Sequence, residues 1–326
     1  MLNIAMLSMW HVHANGYADF IAAQPDAQVR AVWDDDADRG RAAAERLSAE
    51  FEPDLHRLLA RKDIDAVIVD APTTEHAEVM IAAARAGKHI FTEKALAPTV
   101  EECERIARAV REAGVQFTIS FPGLTSGAMQ YARRAIDEGK LGQVTYLRIR
   151  AAHGGSSQRW LPDYWYDTGK TGGGAMMDLG CHPNYQATYL LGKPLRVASM
   201  FVNVMSPGDS EDNAVSTIEF EGGAIAVLET GFVSPHSHSA IEILGTEGSI
   251  YIEGGKLRIY SKPSGIAGWL EPDDIPKPLP AALRQWLDAI QGGEPSRFTL
   301  DGAIALTELL ENEYKAHREQ RVVKLR

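Results

Sequence analysis

The first 120 residues alternate short apolar runs with helical segments, and this alternation constrains the fold more than any other feature of the chain. Five runs have the composition of buried strands: LNIAML, VRAVWD, DAVIVDAP, HIFTEK and VQFTIS. A helical segment follows each of the first four, and one of them has Thr99 at its N-cap and Gly114 at its end. Apolar strands separated by helices are typical of a parallel sheet covered on both faces. The sequence therefore predicts an α/β fold that begins with a Rossmann-like, doubly wound domain over residues 1–121.

The pattern changes after residue 121. A helix over Ser126–Glu138 leads into seven strand-like runs: TYLRIRAAH, VASMFVNV, NAVSTIEF, AIAVLETGFV, AIEILG, SIYIEG and KLRIYS. EGG turns at 221–223 and 253–255 are expected to join neighbouring strands as hairpins. After the segment EPDDIPKPLP come two predicted helices, Ala281–Gln291 and Leu300–Arg318. Residues 122–326 are thus predicted to form a second α/β domain with a large, open, mostly antiparallel sheet.

That second sheet is expected to mediate self-association. The run AIAVLETGFV carries apolar residues on both alternating sets, which predicts that neither face of the strand is left in water. A second copy of the chain would cover the open face, so we expect a homodimer or a homotetramer.

Composition excludes several classes of function. The formal net charge of -11 over 326 residues argues against a nucleic-acid partner, because phosphate binding requires a basic face. Two cysteines, Cys103 and Cys181, suit a reducing compartment and no disulfide framework. The apolar start of the chain has no basic leader and is too short for a membrane span, so we expect a cytoplasmic protein without membrane contact.

The loop after the first strand departs from the usual dinucleotide fingerprint. Where G-x-G-x-x-G would stand, the chain reads Ser8-Met9-Trp10-His11-Val12-His13. We expect Trp10 to crowd a cofactor pyrophosphate, and Ser8, His11 and His13 to contact its phosphate oxygens with the following helix N-terminus. Asp34 ends the second strand 21 residues after His13, where an acid accepts the ribose hydroxyls of NAD and disfavours NADP. The alternative interpretation is that Asp34 caps a helix within the run of acids 34–36.

The third and fourth strands also end in candidate site residues. APTTEH supplies Ala71, Pro72 and His76, and TEKALA supplies Glu93 and Lys94. Ligands of parallel sheets bind outside the carboxyl ends of the strands. A lysine at the end of a buried strand is costly unless a ligand or a partner requires it. We therefore expect these five residues at the cofactor site, with Lys94 also in proton chemistry; the alternative is an edge lysine paired with Glu93.

A glycine-rich segment, GGGAMMDLGCHPNYQATYLLG over residues 172–192, supplies the other catalytic candidates. Asp178 and His182 are four residues apart, which places a carboxylate and an imidazole on one face of a single helix. The glycines are expected to leave room for a ligand at the helix N-terminus. A carboxylate that orients a histidine is the beginning of an acid–base site. The alternative is a surface helix with an incidental pair.

Further histidines and aromatic residues surround these motifs. His153, at the end of the first strand of the second domain, and Trp165, near the glycines, are expected to contact substrate; Trp165 is equally typical of a core or an interface. His11 and His13, like His236 and His238, are two residues apart, and imidazole is a common metal ligand. Because the chain has no HExxH motif and no cysteine-rich spacing, we expect no metal.

Taken in order, APTTEH, AGKHIFTEKALAPTVEEC, the glycine-rich segment and EILGTEGSI resemble the serial motifs of the Gfo/Idh/MocA oxidoreductases over nearly the whole chain. The resemblance implies a Rossmann domain with an α/β domain that commonly forms dimers or tetramers. It also implies NAD(P)-dependent oxidation or reduction of a hydroxyl or keto carbon in sugars, sugar acids or cyclitols. By position, Lys94 would contact substrate and nicotinamide, His182 would transfer the proton, and Asp178 would position substrate or partner groups.

Several positions depart from the family pattern. All three fingerprint glycines are replaced, Ala95 stands where the family has proline after the lysine, and Tyr185 stands where an aspartate often follows the histidine. We predict an oxidoreductase that uses NAD, with NADP less favoured, on a polyol or sugar substrate. Two alternatives remain open: an enzyme that eliminates or hydrolyses through transient oxidation with bound NAD, and a non-catalytic dinucleotide or sugar sensor.

Overall fold

The computed structural model describes residues 1–237 and 239–325, and the chain divides into two compact units. The first unit contains Met1–Ser120 and Pro280–Thr307; the second contains Phe121–Leu279 and the residues from Glu308 onwards. His238, one of the histidines considered above as a metal ligand, lies outside the described residues.

The first unit is built on a parallel sheet, as the sequence predicts, with six strands in place of the five predicted. Its strands are β1 (Leu2–Leu7), β2 (Ala27–Trp33), β3 (Glu50–Phe51), β4 (Ala66–Val69), β5 (His89–Thr92) and β6 (Phe117–Ile119). Their order across the sheet is β3-β2-β1-β4-β5-β6, so β2 and β3 lie on one side of β1 and the later strands on the other. In open parallel sheets, ligands bind at the strand ends beside such a change of side. The helices up to this point are α1 (Ala14–Ala22), α2 (Ala37–Leu47), α3 (Leu55–Leu59), α4 (His76–Arg85) and α5 (Val100–Ala113).

Local sequence signals account for these helix ends. Thr99 caps α5 by accepting a hydrogen bond from the Glu102 N–H, and its hydroxyl donates to the Glu102 carboxylate. Gly114 then ends the helix in the left-handed conformation, at φ 64°. Both features confirm the predicted N-cap and terminator. Strand β3 and helix α3 were not predicted, because two and five residues carry too little periodicity.

The segment Pro280–Thr307, expected in the second domain, belongs to the first unit. It contains α10 (Ala282–Ile290), whose Trp286 is fully buried with its ring 5.7 Å from that of Phe91. Arg284 forms an ion pair with Asp26 at 2.9 Å, and the Phe298 carbonyl accepts a hydrogen bond from the Ile119 N–H. Burial of an aromatic face against the sheet determines where this segment packs, and the linker composition alone does not indicate it.

The second unit is built on a nine-stranded mixed sheet. Its strands are β7 (Val144–Ala152), β8 (Pro194–Val202), β9 (Asn213–Phe220), β10 (Ile225–Gly231), β11 (Ala240–Gly245), β12 (Gly248–Glu253), β13 (Lys256–Ser261), β14 (Ile266–Leu270) and β15 (Val323–Lys324). The order is β14-β13-β12-β11-β7-β10-β9-β8-β15, antiparallel except for β7 with β10. The turns at 221–223 and 253–255 join antiparallel neighbours, which confirms both predicted hairpins.

The helices of the second unit lie before and between these strands. They are α6 (Gly127–Asp137), α7 (Thr168–Thr171), α8 (Ala175–Asp178) and α9 (Cys181–Leu191). Helix α11 (Leu300–Glu319) begins among the residues of the first unit and ends among those of the second. Strands β14 and β15 were not predicted: one is mostly exposed and the other is two residues long. Within residues 1–237 and 239–325, no helix has the length and apolar character to cross a bilayer.

Candidate active site

The loop between β1 and α1 keeps a sharp turn without glycine. Ser8, at the first fingerprint position, has a left-handed backbone with φ 71°, a conformation that glycine adopts far more readily. The Ser8 N–H donates to the Trp33 carbonyl, and the Trp10 N–H donates to the Ser8 hydroxyl at 3.2 Å. The Ser8 hydroxyl therefore helps to stabilise a turn that usually requires glycine.

The N–H groups of this loop bond largely within the protein. Met9 donates to the Asp34 carboxylate, His11 to the Asp70 carbonyl, and His13 to Nδ1 of His11 at 3.2 Å. Trp10 is buried, with 4% of its surface exposed. The turn and strand ends fit a dinucleotide such as NAD, but the loop offers its phosphates fewer backbone donors than a glycine fingerprint would.

Asp34 is at the predicted position, but its carboxylate is already fully engaged. Its side chain has no exposed area and accepts hydrogen bonds from Arg39 at 2.6 and 2.9 Å and from the N–H groups of Met9 and Asp36. Asp35 is 34% exposed and also pairs with Arg39. Asp36, not Asp34, caps α2. For Asp34 to bind ribose hydroxyls, the cofactor would have to replace one of these donors.

His76 connects the loops after β4 and β5. Its Nδ1 lies 3.1 Å from the carbonyl oxygens of both Ala95 and Leu96, and its Nε2 lies 3.0 Å from that of Ala71. The ring is 1% exposed, and burial lowers its pKa despite these carbonyl contacts. His76 thus organises the loop that carries Lys94, whereas we had expected it to contact cofactor directly.

Glu93 lies at the centre of a buried polar cluster at the end of β5. Its carboxylate accepts hydrogen bonds from the Tyr17 hydroxyl and the Lys94 N–H, and lies 3.0 Å from Nδ1 of His13. Burial by itself would raise the pKa of Glu93, but the charges of His11, His13 and Lys94 hold it well below its usual range. Lys94 is 4% exposed, so the structure places the predicted lysine in a protected, strongly polar environment.

The glycines at positions 173, 174 and 180 allow close packing. A side chain at Gly174 would overlap Glu211, one at Gly173 would overlap Tyr314, and one at Gly180 would overlap Met176. Glu211 explains the first requirement, since its carboxylate accepts hydrogen bonds from the N–H groups of Gly174 and Met176 and from the Tyr314 hydroxyl. We expected these glycines to leave room for a ligand; in the structure the space beside them is filled by neighbouring residues of the protein.

Asp178 and His182 are not on one continuous helix. Helix α8 ends at Asp178 and α9 begins at Cys181, because the N–H of Gly180 bonds to the Ala175 carbonyl and interrupts the regular turn. The indole N–H of Trp165 donates to the Asp178 carboxylate at 3.2 Å. Trp165 is 3% exposed, so it supports Asp178 from a buried position.

His182 is oriented by Tyr185, the residue that replaces the family aspartate. Nδ1 of His182 lies 2.7 Å from the Tyr185 hydroxyl oxygen, which also accepts the Gly123 N–H at 2.9 Å. The Tyr185 ring is buried and stacks on Phe121 with 4.5 Å between ring centroids. The phenol oxygen accepts the Gly123 N–H and can either accept from or donate to Nδ1, so Tyr185 fixes the orientation of the His182 ring whichever ring nitrogen carries the proton.

His182 lines a cavity of about 570 Å³ in the second unit, between α9 and the sheet. Other residues at this cavity are His153, Gln186 and Arg150. The ring of His153 stacks on Phe232 at 5.2 Å, and its Nδ1 accepts the Gly155 N–H. The size suits a small polyol, and the lining provides several hydrogen-bonding groups.

The sequence alone did not indicate Tyr17, Asp70 or Gln186, and it did not indicate the role of Tyr185. Tyr17 follows His13 by one helical turn, a spacing that could have indicated its contact with the same carboxylate. Asp70 was read only as the end of a strand, and Gln186 had no distinguishing motif. Tyr185 was noted as a departure from the family pattern, but its bond to His182 depends on Gly123, 62 residues away.

Comparison with known proteins identifies the family. Residues 11–121 match the model "Oxidoreductase family, NAD-binding Rossmann fold", and residues 129–251 match "GFO/IDH/MocA C-terminal domain". The chain is 31% identical over 265 residues to scyllo-inositol 2-dehydrogenase (NAD(+)) of Bacillus subtilis (strain 168), covering 79% of this chain and 73% of that protein. It is 29% identical over 281 residues to 1,5-anhydro-D-fructose reductase of Ensifer adhaerens, covering 83% of each.

A solved structure extends the similarity to the whole fold. GenD2 from gentamicin A biosynthesis, crystallised in complex with NAD, superposes with a TM-score of 0.86 at 26% identity, covering 100% of this chain and 96% of that one. The motif order, the fold and the relatives agree. The chain belongs to the GFO/IDH/MocA family of oxidoreductases.

Proposed function

We propose that this protein is an NAD-dependent dehydrogenase or reductase of a sugar, sugar acid or cyclitol. The observation that carries the proposal is His182, held by Tyr185 at the edge of a polyol-sized cavity. The inositol and anhydrofructose enzymes among its relatives support this substrate class. A bound nicotinamide would accept or supply the hydride.

Residues of the protein would transfer the substrate proton and stabilise the charge that develops on the substrate oxygen. Because Tyr185 engages Nδ1 of His182, we propose that Nε2 accepts the proton of the substrate hydroxyl during oxidation. The Lys94 ammonium would stabilise the developing negative charge on that oxygen. Asp178, supported by Trp165, would bind a substrate hydroxyl, and His153 would line the same substrate site.

The strand-end residues of the first unit would bind the cofactor. We propose that the turn at Ser8 and the side chains of His11 and His13 face its phosphates, with Ala71 and Pro72 beside the nicotinamide. Asp34 and Asp35 together would face the adenosine ribose, whose hydroxyls would compete with Arg39 for a carboxylate. Trp10 and His76 would support these loops from their buried positions.

Titration with cofactors tests this proposal first. Two carboxylates next to the ribose should repel a 2′-phosphate, so we expect NAD(H) to bind more tightly than NADP(H) in calorimetry. A panel of sugars, sugar acids and inositols with NAD should then yield NADH. Tighter NADP(H) binding would refute the cofactor assignment. Substrate loss without net NADH would favour the elimination mechanism, and NAD binding without turnover on any panel member would favour a sensor.

We further propose that a second copy covers the open face of the sheet in the second unit. Met200 and Val202 on β8, Val215 on β9 and Ile225 on β10 are between 37% and 67% exposed. Exposed apolar side chains on adjacent strands are typical of an interface. Light scattering at micromolar concentration is expected to report a dimer or a tetramer, and a monomer would contradict the proposal.

A further inference from the structure

Three potential metal ligands meet at the strand ends of the first unit. His11, His13 and Glu93 each offer one ligand atom, and these atoms all lie within 4.8 Å of one another. Two of the three residues, His11 and Glu93, are buried, with 6% and 1% of their surfaces exposed. We propose that His11, His13 and Glu93 bind a divalent first-row transition-metal ion.

Only small side-chain movements would bring the three ligand atoms close enough to bind one ion. Metal–nitrogen and metal–oxygen bonds of about 2.0–2.2 Å keep two ligand atoms of one ion at most about 4 Å apart. Nδ1 of His13 and Oε1 of Glu93 are already 3.0 Å apart, and the widest separation in the set is 4.8 Å. The His13 side chain is 49% exposed and can move toward His11 without disturbing the core.

The donor set determines the class of metal. Two imidazoles and one carboxylate are ligands of zinc and of non-haem iron sites, and they suit magnesium and calcium poorly. Three protein ligands also leave at least one coordination position for water or another ligand, as in catalytic metal sites. The site would therefore bind Zn²⁺, Co²⁺ or Fe²⁺ in an open arrangement.

The surroundings orient Glu93 and place a second buried carboxyl group beside it. The Tyr17 hydroxyl donates to the Glu93 carboxylate and also contacts Ser120. Tyr17 therefore orients the carboxylate as an outer partner of a metal ligand would. Asp70 is fully buried, interacts electrostatically with Glu93, and neither of its carboxyl oxygens has a hydrogen-bond partner among the described residues. These buried oxygens without partners among the described residues are polar atoms that a bound ion and its water would satisfy.

The backbone presents both histidines from a constrained loop. The His11 N–H bonds to the Asp70 carbonyl at 3.0 Å, and His13 is the N-cap residue of α1. His11 and His13 stand at two of the fingerprint positions, so the site uses the loop that a conventional dinucleotide fold reserves for glycine. The proposal concerns binding of the ion to the chain without cofactor: the side chains of His11 and His13 are also those proposed above to face the cofactor phosphates, so the ion and the phosphates would compete for them.

The test is metal binding by the full chain after treatment with a chelator. Calorimetric titration with Zn²⁺ is expected to show one ion per chain, and Co²⁺ is expected to give the intensified visible bands of a four- or five-coordinate site. His13→Gln should weaken Zn²⁺ binding by more than about 100-fold, since even outer partners of metal ligands contribute about 10- to 100-fold. Glu93→Gln should have a similar effect.

Control variants separate this site from adventitious binding. His56 is exposed on α3, so His56→Ala should leave Zn²⁺ affinity and stoichiometry unchanged. Circular dichroism should show that His13→Gln, whose side chain is half exposed, retains its fold. Absence of binding at micromolar Zn²⁺, unchanged affinity in folded His13→Gln, or loss of affinity in His56→Ala would each overturn the proposal.

Discussion

Replacing His182 by alanine is expected to lower kcat by about 10²- to 10⁴-fold, the usual contribution of a general acid–base group. KM should change far less, because the lost interaction develops mainly in the transition state. The measurement is steady-state NADH formation on whichever sugar or cyclitol the substrate panel identifies. Wild-type turnover by His182→Ala would show that the proton is transferred elsewhere.

Lys94 provides a test of whether the two residues act on one event. Lys94→Ala is expected to lose a factor comparable to that of His182→Ala, because charge on the substrate oxygen would no longer be stabilised. The double variant should lose much less than the product of the two factors, as residues that act as a unit are strongly non-additive. Fully multiplicative losses would contradict a shared step.

Tyr185 should affect the same step more weakly. Tyr185→Phe keeps the ring that stacks on Phe121 but removes the oxygen that bonds to His182. We expect kcat to fall by about 10-fold or more, as for other hydrogen-bond partners that orient a functional histidine. The pH profile of kcat should shift with it, which loss of packing alone would not produce.

The second large effect is on the pH dependence of the protein's stability, and it is expected from Glu313. This residue of α11 is fully buried, and its carboxyl accepts a hydrogen bond from the Asn184 side chain at 2.8 Å. Burial raises its pKa from 4.5 to about 8 although hydrogen bonds oppose the shift. The folded state therefore retains a proton that the unfolded chain releases above about pH 4.5.

The sign of the effect follows from this difference. The stabilisation is complete below the unfolded pKa of about 4.5, declines as the pH rises to about 8, and then stays constant. A shift of this size corresponds to roughly 5 kcal/mol at most, at about 1.4 kcal/mol per unit. Glu313→Gln should match wild type in thermal midpoint near about pH 5 and exceed it near about pH 9.

A matched control isolates the burial of this carboxyl group. Glu112 is exposed on α5, so Glu112→Gln removes the same charge without removing a buried group. Calorimetric midpoints of this variant should follow those of wild type across the whole pH range. Equal pH dependence in Glu313→Gln and wild type would show that Glu313 is ionised at little cost in the folded protein.

The predictable parts of the fold are those that local sequence determines. Apolar strands, the capped helix α5 and both EGG hairpins follow from periodicity and turn chemistry over a few residues. The position of α10 does not follow from local sequence. It depends on the contact of Trp286 with Phe91, which lies almost two hundred residues earlier in the chain. The short strands β3 and β15 likewise form because longer neighbours are present to pair with them.

The candidate site was likewise predictable only where local sequence determines it. Motif order predicts Lys94, Asp178 and His182 as site residues, but it does not predict what each side chain contacts. The break between α8 and α9 arises from one backbone hydrogen bond at Gly180, and the orientation of His182 depends on a tyrosine bonded to a distant loop. Such contacts are tertiary, and a single sequence does not determine them.

The position of His76 has a consequence for engineering this scaffold. Since one imidazole contacts carbonyl oxygens of the loop after β4 and the loop after β5, the two loops are mechanically coupled. A graft that exchanged only the lysine-bearing loop would remove two of the three acceptors around a buried ring. Specificity redesign in this protein should therefore transplant both loops together with their histidine, as a single module.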